Sequence, residues 1–344
     1  MHLFSLREFI SLGAILLLGA LIALYITPLI RRGALAYNIL DTPDQKLKQH
    51  RVPVPYLGGI ALYLSFLVTL SLIFDFTPHS LGLLLGGTMV AMLGLFDDLR
   101  VLPAMFKLTM QLLVVWVVIK SNISIQWIDI PTIVSLPLTV FWLIGVTNSI
   151  NILDVSDGLA TGVGAVASGF FLIIAVINGN FVSAALTAAL CGSLLGFLPF
   201  NKEPASIYLG DTGSLFIGFV LAALAMIGSY TQVSAWGIVA PLAILFVPIF
   251  ETTLCSISRL RKGISPMQGT NDHFSIRLKH QGFSARAIAL GASGVSFLSG
   301  LIALGIVFSS RSIAQLLSLF LASVFVIALY YFLTHLPSPD SSRK

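Results

Sequence analysis

The sequence predicts an all-α, polytopic transmembrane helical bundle of about eleven helices, with the N-terminus outside and the C-terminus cytoplasmic. Three observations predict it. Of 344 residues, 57% are hydrophobic and only 10% charged, with a mean hydropathy of +0.97, whereas a soluble domain carries about 25% charged residues. The apolar residues gather into runs of nearly membrane-spanning length. The basic residues gather on one set of connections. No hydrophilic stretch is long enough for a soluble domain, so 1–344 reads as a single integral membrane domain.

In chain order the apolar runs cover roughly 9–30, 57–74, 80–95, 104–120, 132–147, 159–177, 181–198, 213–229, 233–257, 286–308 and 311–333. The first is too long for a signal peptide, lacks a small-residue cleavage site and runs straight into Arg31-Arg32, so it is expected to be a retained helix. Several runs are nearer 16 than 20 residues, which points to tilted or broken spans. Cys191 and Cys255 both lie within apolar runs, with neither disulfide nor zinc spacing, and read as small core residues.

One set of connections comprises 31–56, 96–103, 148–158, 199–212, 258–285 and the tail after 334. Of the 19 lysines and arginines, only Arg7, Lys120 and Arg311 lie on the other side. Positive charge stays in the cytoplasm, so these loops are assigned there. The pI near 9.3 therefore signals membrane topology and no nucleic-acid partner. Nearly all the ionisable chemistry shares that face. A transporter places such groups at helix midpoints, often with inverted repeats, and neither is visible. An enzyme at the inner membrane surface fits better.

Five segments carry the chemistry. Asp97-Asp98 ends the third run; the pair is either a metal- or phosphate-handling pair or a solvated helix end partnered by Arg100. Asn148, Asn151, Asp154 and Asp157 recur every three residues and, if helical, share one face suited to a polar ligand such as a nucleotide. Tyr208 and Gly210-Asp211-Thr212-Gly213-Ser214 precede an apolar run. Asp211 and Thr212 suit helix capping, and Asp211 suits a divalent ion, but capping does not explain Asn201 or Tyr208. The basic loop from Arg259 through His273 to Arg277 either clamps a diphosphate or anchors to anionic lipid. Loop 31–56, with Asp41-Thr42-Pro43, Lys48, His50 and Arg51, is either a plain linker or a basic lid. Glu251 is an intramembrane carboxylate near the cytoplasmic end of its run, where function is the default reading. Because the carboxylates sit at helix ends and in loops, neutralising Asp97, Asp98 or Asp211 is expected to spare stability.

Together these segments, from Asp41 to about Ser284, resemble the bacterial polyprenyl-phosphate N-acetylhexosamine-1-phosphate transferases, a glycosyltransferase family 4 type. The elements stand in that family's order: the basic segment closing at Gly58-Gly59, Asp97-Asp98, the Asn151/Asp154/Asp157 cluster, Asn201 with Gly210 to Ser214, and the Ser265-Pro266 to His273 loop. The resemblance implies that a polyprenyl phosphate attacks the β-phosphate of a UDP-N-acetylhexosamine and releases UMP. It implies Mg²⁺, with Mn²⁺ able to substitute, and a multi-pass protein of the bacterial inner membrane whose site faces the cytoplasm.

The resemblance further implies roles. Asp97 engages the lipid phosphate, with His273 beside the chemistry. Asp98 lies near the metal and Asp211 is its main ligand. Asn151, Asp154 and Asp157 serve the nucleotide, and Tyr208 stacks on uracil. Asn201, Lys48, His50, Arg51 and Arg277 contact sugar or phosphate. Two departures stand out. Asp154 lacks the family's following glycine, and His273-Phe274-Ser275-Ile276 keeps only the first histidine of a His-x-His-His signature. The run of three histidines typical of the phospho-N-acetylmuramoyl-pentapeptide branch is absent, so UDP-N-acetylglucosamine is the expected donor. A member that binds without catalysis is the other class of reading, and a homodimer stays open.

Overall fold

The computed structural model describes residues 4–41, 53–73, 78–125 and 131–336. The first helix, α1 (Leu6–Ala36), leads through a short antiparallel pair, β1 (Leu40–Asp41) and β2 (Val54–Pro55), to α2 (Gly58–Ile73) and α3 (Pro78–Leu99). Then come α4 (Ala104–Lys120), α5 (Thr132–Leu153), α6 (Leu159–Ile177), α7 (Phe181–Asn201) and α8 (Gly210–Ile227). A 3-10 turn at Ala235–Val239 precedes α9 (Ala240–Ile244), α10 (Phe246–Arg261), the short α11 (Phe274–His280), α12 (Ala285–Phe308) and α13 (Arg311–Thr334). Each apolar run of the sequence centres on one of these helices, except 233–257, which is broken.

Side-chain caps start several helices. Ser5 and Glu8 form a reciprocal capping box on α1, Asn180 caps α7 and Ser284 caps α12. Among the described residues, eight helices are long and apolar enough to cross a membrane: α1, α3, α5, α6, α7, α8, α12 and α13. Helix α8 lies at the centre, against α2, α3, α5, α6 and α7, and nearly every residue on it is buried. Its contacts use glycine, alanine and serine, which let helix backbones approach closely in the absence of water. At the periphery, α1 and α13 turn outward Leu17, Leu21, Tyr25, Leu319, Phe320 and Ile327, all exposed and suited to lipid.

The run 233–257 bends by 72° between Ala235–Ile244 and Phe246–Arg261. The break falls at Leu245, whose backbone (φ −94°, ψ 23°) leaves the helical region. Pro241 opens α9 and Pro248 sits in the first turn of α10, where the missing N–H interrupts no helical bond.

A further difference lies in α5. It continues to Leu153, so Asn148 and Asn151 are helical, Asp154 is the C-cap and Asp157 lies in the turn beyond. The three-residue stripe expected from sequence therefore stops at Asn151. Asn148 turns away to a paired amide contact with Gln111 of α4, at 2.8 and 3.3 Å. The two cysteines are free and buried.

Candidate active site

The five internal loops grouped by charge converge on one cleft of about 1120 Å³ at one end of the bundle. Its walls include Asp41 and Tyr56, Asp97 and Asp98, Asp154 and Asp157, Tyr208 to Asp211, and His273 to Ser284. Because β1 pairs with β2 and the Tyr208 N–H donates to Pro55 O (2.7 Å), Asp41 and Tyr56 both stand at this cleft.

The N-terminus of α8 organises the floor. Leu209, its N-cap residue, offers no side-chain cap. Asp98 of α3 does so instead, accepting from Asp211 N (2.7 Å), Thr212 N (3.0 Å) and Thr212 Oγ1 (2.6 Å). This needs very close approach: a Cβ on Gly94 would lie 2.4 Å from Asp211 O. Gly210 has φ +71°, and a Cβ there would strike Tyr56 O at 2.5 Å and Asp98 Oδ2 at 2.7 Å. Asp98, expected beside a metal, borders the cleft next to Asp211, and its carboxylate holds α8 so that Asp211 is presented there.

Around Asp211 the contacts are specific. Lys107 Nζ of α4 donates to Asp211 Oδ2 at 3.0 Å and also pairs with Asp97 Oδ2, so one ammonium bridges two carboxylates. The other Asp97 oxygen accepts from Leu102 N at 2.7 Å. Asn151 Nδ2 donates to Asp211 Oδ1 and Ser214 Oγ, both at 2.9 Å. Across the cleft, the Asp154 carboxylate makes no hydrogen bond among the described residues. Burial, and then the charges of Asp211, Asp98 and Asp157, pushes it well above the usual carboxylate range.

Several expected substrate contacts prove to be anchors. Asn151 does not line the cleft; it orients Asp211. Asn201 is 2% exposed, accepts from Thr161 Oγ1 (2.7 Å) and donates to Ile207 O (3.2 Å), which ties down the approach to α8 while the residue still borders the cleft. Asp157 accepts from Ala205 N at 2.9 Å in that same connection while still facing the cleft. Arg277 is the clearest correction. Its guanidinium donates to Asp272 O, Phe332 O, Leu336 O and Ser258 Oγ, at 2.6–2.9 Å. It is a buried clamp between the 262–273 loop and the end of α13, with four of its five donors bonded within the protein. Lys48, His50 and Arg51 lie outside the described residues.

Tyr208 and His273 do face the cleft. Burial, then Asp157 and Asp41, pushes the Tyr208 hydroxyl up to about 12. Sequence reasoning missed Lys107, and also Lys279, which lines the cleft on α11. Burial pulls the Lys279 ammonium below its ordinary 10.5, against the pull of Asp157 and Glu203. Neither lysine belongs to a recognisable spacing, and only the packing of α4 and α11 brings them to the acids.

Fold and cleft thus define a multi-pass helical membrane protein with a lysine-bridged acidic site at one end. The model of glycosyl transferase family 4 matches residues 80–229, the stretch holding Asp97, Asp98, Asp154 and Asp211. A probable undecaprenyl-phosphate N-acetylglucosaminyl 1-phosphate transferase of Bacillus subtilis is 32% identical over 321 residues, 90% of this chain and 88% of that protein. The decaprenyl-phosphate N-acetylglucosaminephosphotransferase of Mycobacterium leprae is 29% identical, over 83% of this chain and 80% of that one. A phospho-N-acetylmuramoyl-pentapeptide-transferase of Caldanaerobacter subterraneus is 36% identical, over 54% and 64% respectively. The chain belongs to glycosyl transferase family 4.

Proposed function

We propose that the chain transfers N-acetylglucosamine-1-phosphate from UDP-N-acetylglucosamine to a polyprenyl phosphate and releases UMP. One observation carries the reading: Asp97 and Asp211 share the Lys107 ammonium in a cleft walled by Asp154, Tyr208, His273 and Lys279. An oxygen of the lipid phosphate attacks the β-phosphorus. The bond from that phosphorus to the bridging oxygen breaks, and the electron pair leaves with UMP. One phosphoanhydride replaces another, so the equilibrium constant lies near unity.

The donor set fits a hard divalent cation: carboxylate oxygens from Asp211 and Asp154, the latter without a partner among the described residues. Mg²⁺ or Mn²⁺ held there would neutralise charge on the two adjoining phosphates. The protein's own groups do the rest. Asp97 and Lys107 receive and orient the lipid phosphate. Tyr208 offers its ring to uracil. Lys279 faces the diphosphate, and His273 faces the transferred group. Lys48, His50 and Arg51, outside the described residues, lie in sequence between Asp41 and Tyr56 of the cleft wall, and their chemistry suits phosphate contacts.

The reading includes eleven spans, with α2, α4 and the bent pair joining the eight long helices. The N-terminus lies outside and the cleft faces the cytoplasm of a bacterial inner membrane, where UDP-sugars are made available and the lipid carrier is within reach.

Purified protein should convert UDP-N-acetylglucosamine to UMP and lipid-linked sugar only with polyprenyl phosphate and Mg²⁺ both present, and EDTA should stop it. UDP-N-acetylmuramoyl-pentapeptide should not be turned over. Release of UMP at full rate without lipid would make the protein a hydrolase and overturn the reading.

A further inference from the structure

Glu251 is fully buried on α10 and takes no part in the chemistry above. Its carboxylate, which can only accept, has two donors. Oε2 accepts from Phe274 N at 3.1 Å, and Oε1 lies 2.8 Å from Nδ1 of His273. With Glu251 ionised, the proton between it and His273 sits on Nδ1. Cys255, one helical turn along α10, closes the same side with its sulfur 3.6 Å from Nδ1. His273 also lines the cleft, and with Nδ1 committed to α10, Nε2 is the ring nitrogen left to face substrate.

We propose that Glu251 is a positioning residue that fixes which nitrogen His273 presents to the nucleotide sugar. This rests on the transferase reading above. With the ring neutral, Nε2 is a bare acceptor for a hydroxyl or amide of the sugar. With the ring protonated, Glu251 becomes its ion-pair partner and Nε2–H donates to a phosphate oxygen. In both states Nδ1 cannot turn to the cleft. The Glu251–Phe274 bond also ties α10 to the first residue of α11, so ring and backbone are set by one carboxylate. The device leaves this chain's single histidine at 273–276 with a defined orientation that the missing neighbouring histidines cannot supply.

Glu251→Gln is the decisive variant. A nearly isosteric amide cannot accept at both positions; it must oppose one N–H or donate to Nδ1 and drive the ring proton to Nε2. The full chain, labelled with ¹⁵N in its histidine rings and held in detergent micelles, reports this directly, with His273 assigned by its loss in His273→Ala. The wild type should give a protonated Nδ1 and a bare Nε2, and the variant should lose that pattern. In turnover of UDP-N-acetylglucosamine, Glu251→Gln should lower kcat by about a hundredfold or more, the lower edge of what a positioned acid or base contributes, with KM little changed. Adding His273→Ala to it should cost nothing further. Glu251→Asp, which keeps a carboxylate, should retain the wild-type tautomer and recover part of kcat.

A wild-type ring pattern in Glu251→Gln, or fully additive losses with His273→Ala, would overturn the proposal. So would one zinc per purified chain that Cys255→Ser removes, because Glu251, Cys255 and His273 would then be holding a metal. Absence of turnover in a wild-type protein that keeps its ring pattern would sink the transferase reading alone.

Discussion

Single side chains divide into those that meet substrate and those that hold them in place, and the two classes give different experiments. Lys279 faces the cleft with its cation weakened by burial. Its charge is lost as pH rises, at a pH below the ordinary 10.5 of lysine, so KM for UDP-N-acetylglucosamine should climb on the alkaline side. Lys279→Arg, charged throughout, should flatten that climb in a pH series of initial rates. Arg277 belongs to the other class. Arg277→Gln strands the carbonyls of Asp272, Phe332 and Leu336, and each buried acceptor left unpaired costs about 1–3 kcal/mol. A lowered Tm in a detergent melt, with KM little altered in the protein that remains folded, is the expected outcome. The sequence marked Arg277 as basic and loop-borne, which suits a phosphate contact equally well. Only the position of the α13 end, more than fifty residues away, decides between the readings. Asp97, Asp211, Tyr208 and His273 were legible as cleft residues because the segments that carry them stand together in one family's order. Lys107 and Lys279 were not, since a lone lysine near a membrane edge is explained by charge topology alone.

At the scale of elements, the crossing of α3 and α8 is the unit that matters. Asp98 caps α8 while Asp97, its neighbour, faces Lys107, so adjacent carboxylates have separate tasks. The expectation that all such neutralisations spare stability is therefore revised. Asp98→Asn replaces one accepting oxygen with a donor and should lower stability by about 0.5–2 kcal/mol, the usual value of an N-cap. Asp97→Asn should leave Tm near wild type, and both should lose most turnover. Equal melting temperatures for the two variants would remove the capping role. Helix existence was readable from hydropathy, since lipid demands that each backbone polar group be satisfied within its own segment. The break at Leu245 was not, because leucine suits a helix, and Pro241 and Pro248 are tolerated where they fall. The end of α5 was missed for the opposite reason: Asn148 to Asn151 look like loop residues until Gln111 and Asp211 are seen to partner them.

Over the whole molecule, the charge asymmetry and the cleft agree. Loops grouped only by lysine and arginine content meet at one end of the bundle. Reporter fusions after Gly263 should therefore score as cytoplasmic and those at Gly179 as external, and the reverse pattern would place the cleft away from UDP-sugars. The periphery has a consequence of its own. Helix α13 is the most lipid-facing of the long spans, and its last turn is gripped by Arg277, four residues beyond His273 in sequence. Hydrophobic thickness acts on such a helix by tilting it. A tilt of α13 moves Phe332 and Leu336, and through the clamp it pulls on the segment that carries His273. In vesicles of graded acyl-chain length, turnover should pass through an optimum, so that the bilayer itself acts as a mechanical input to the rate.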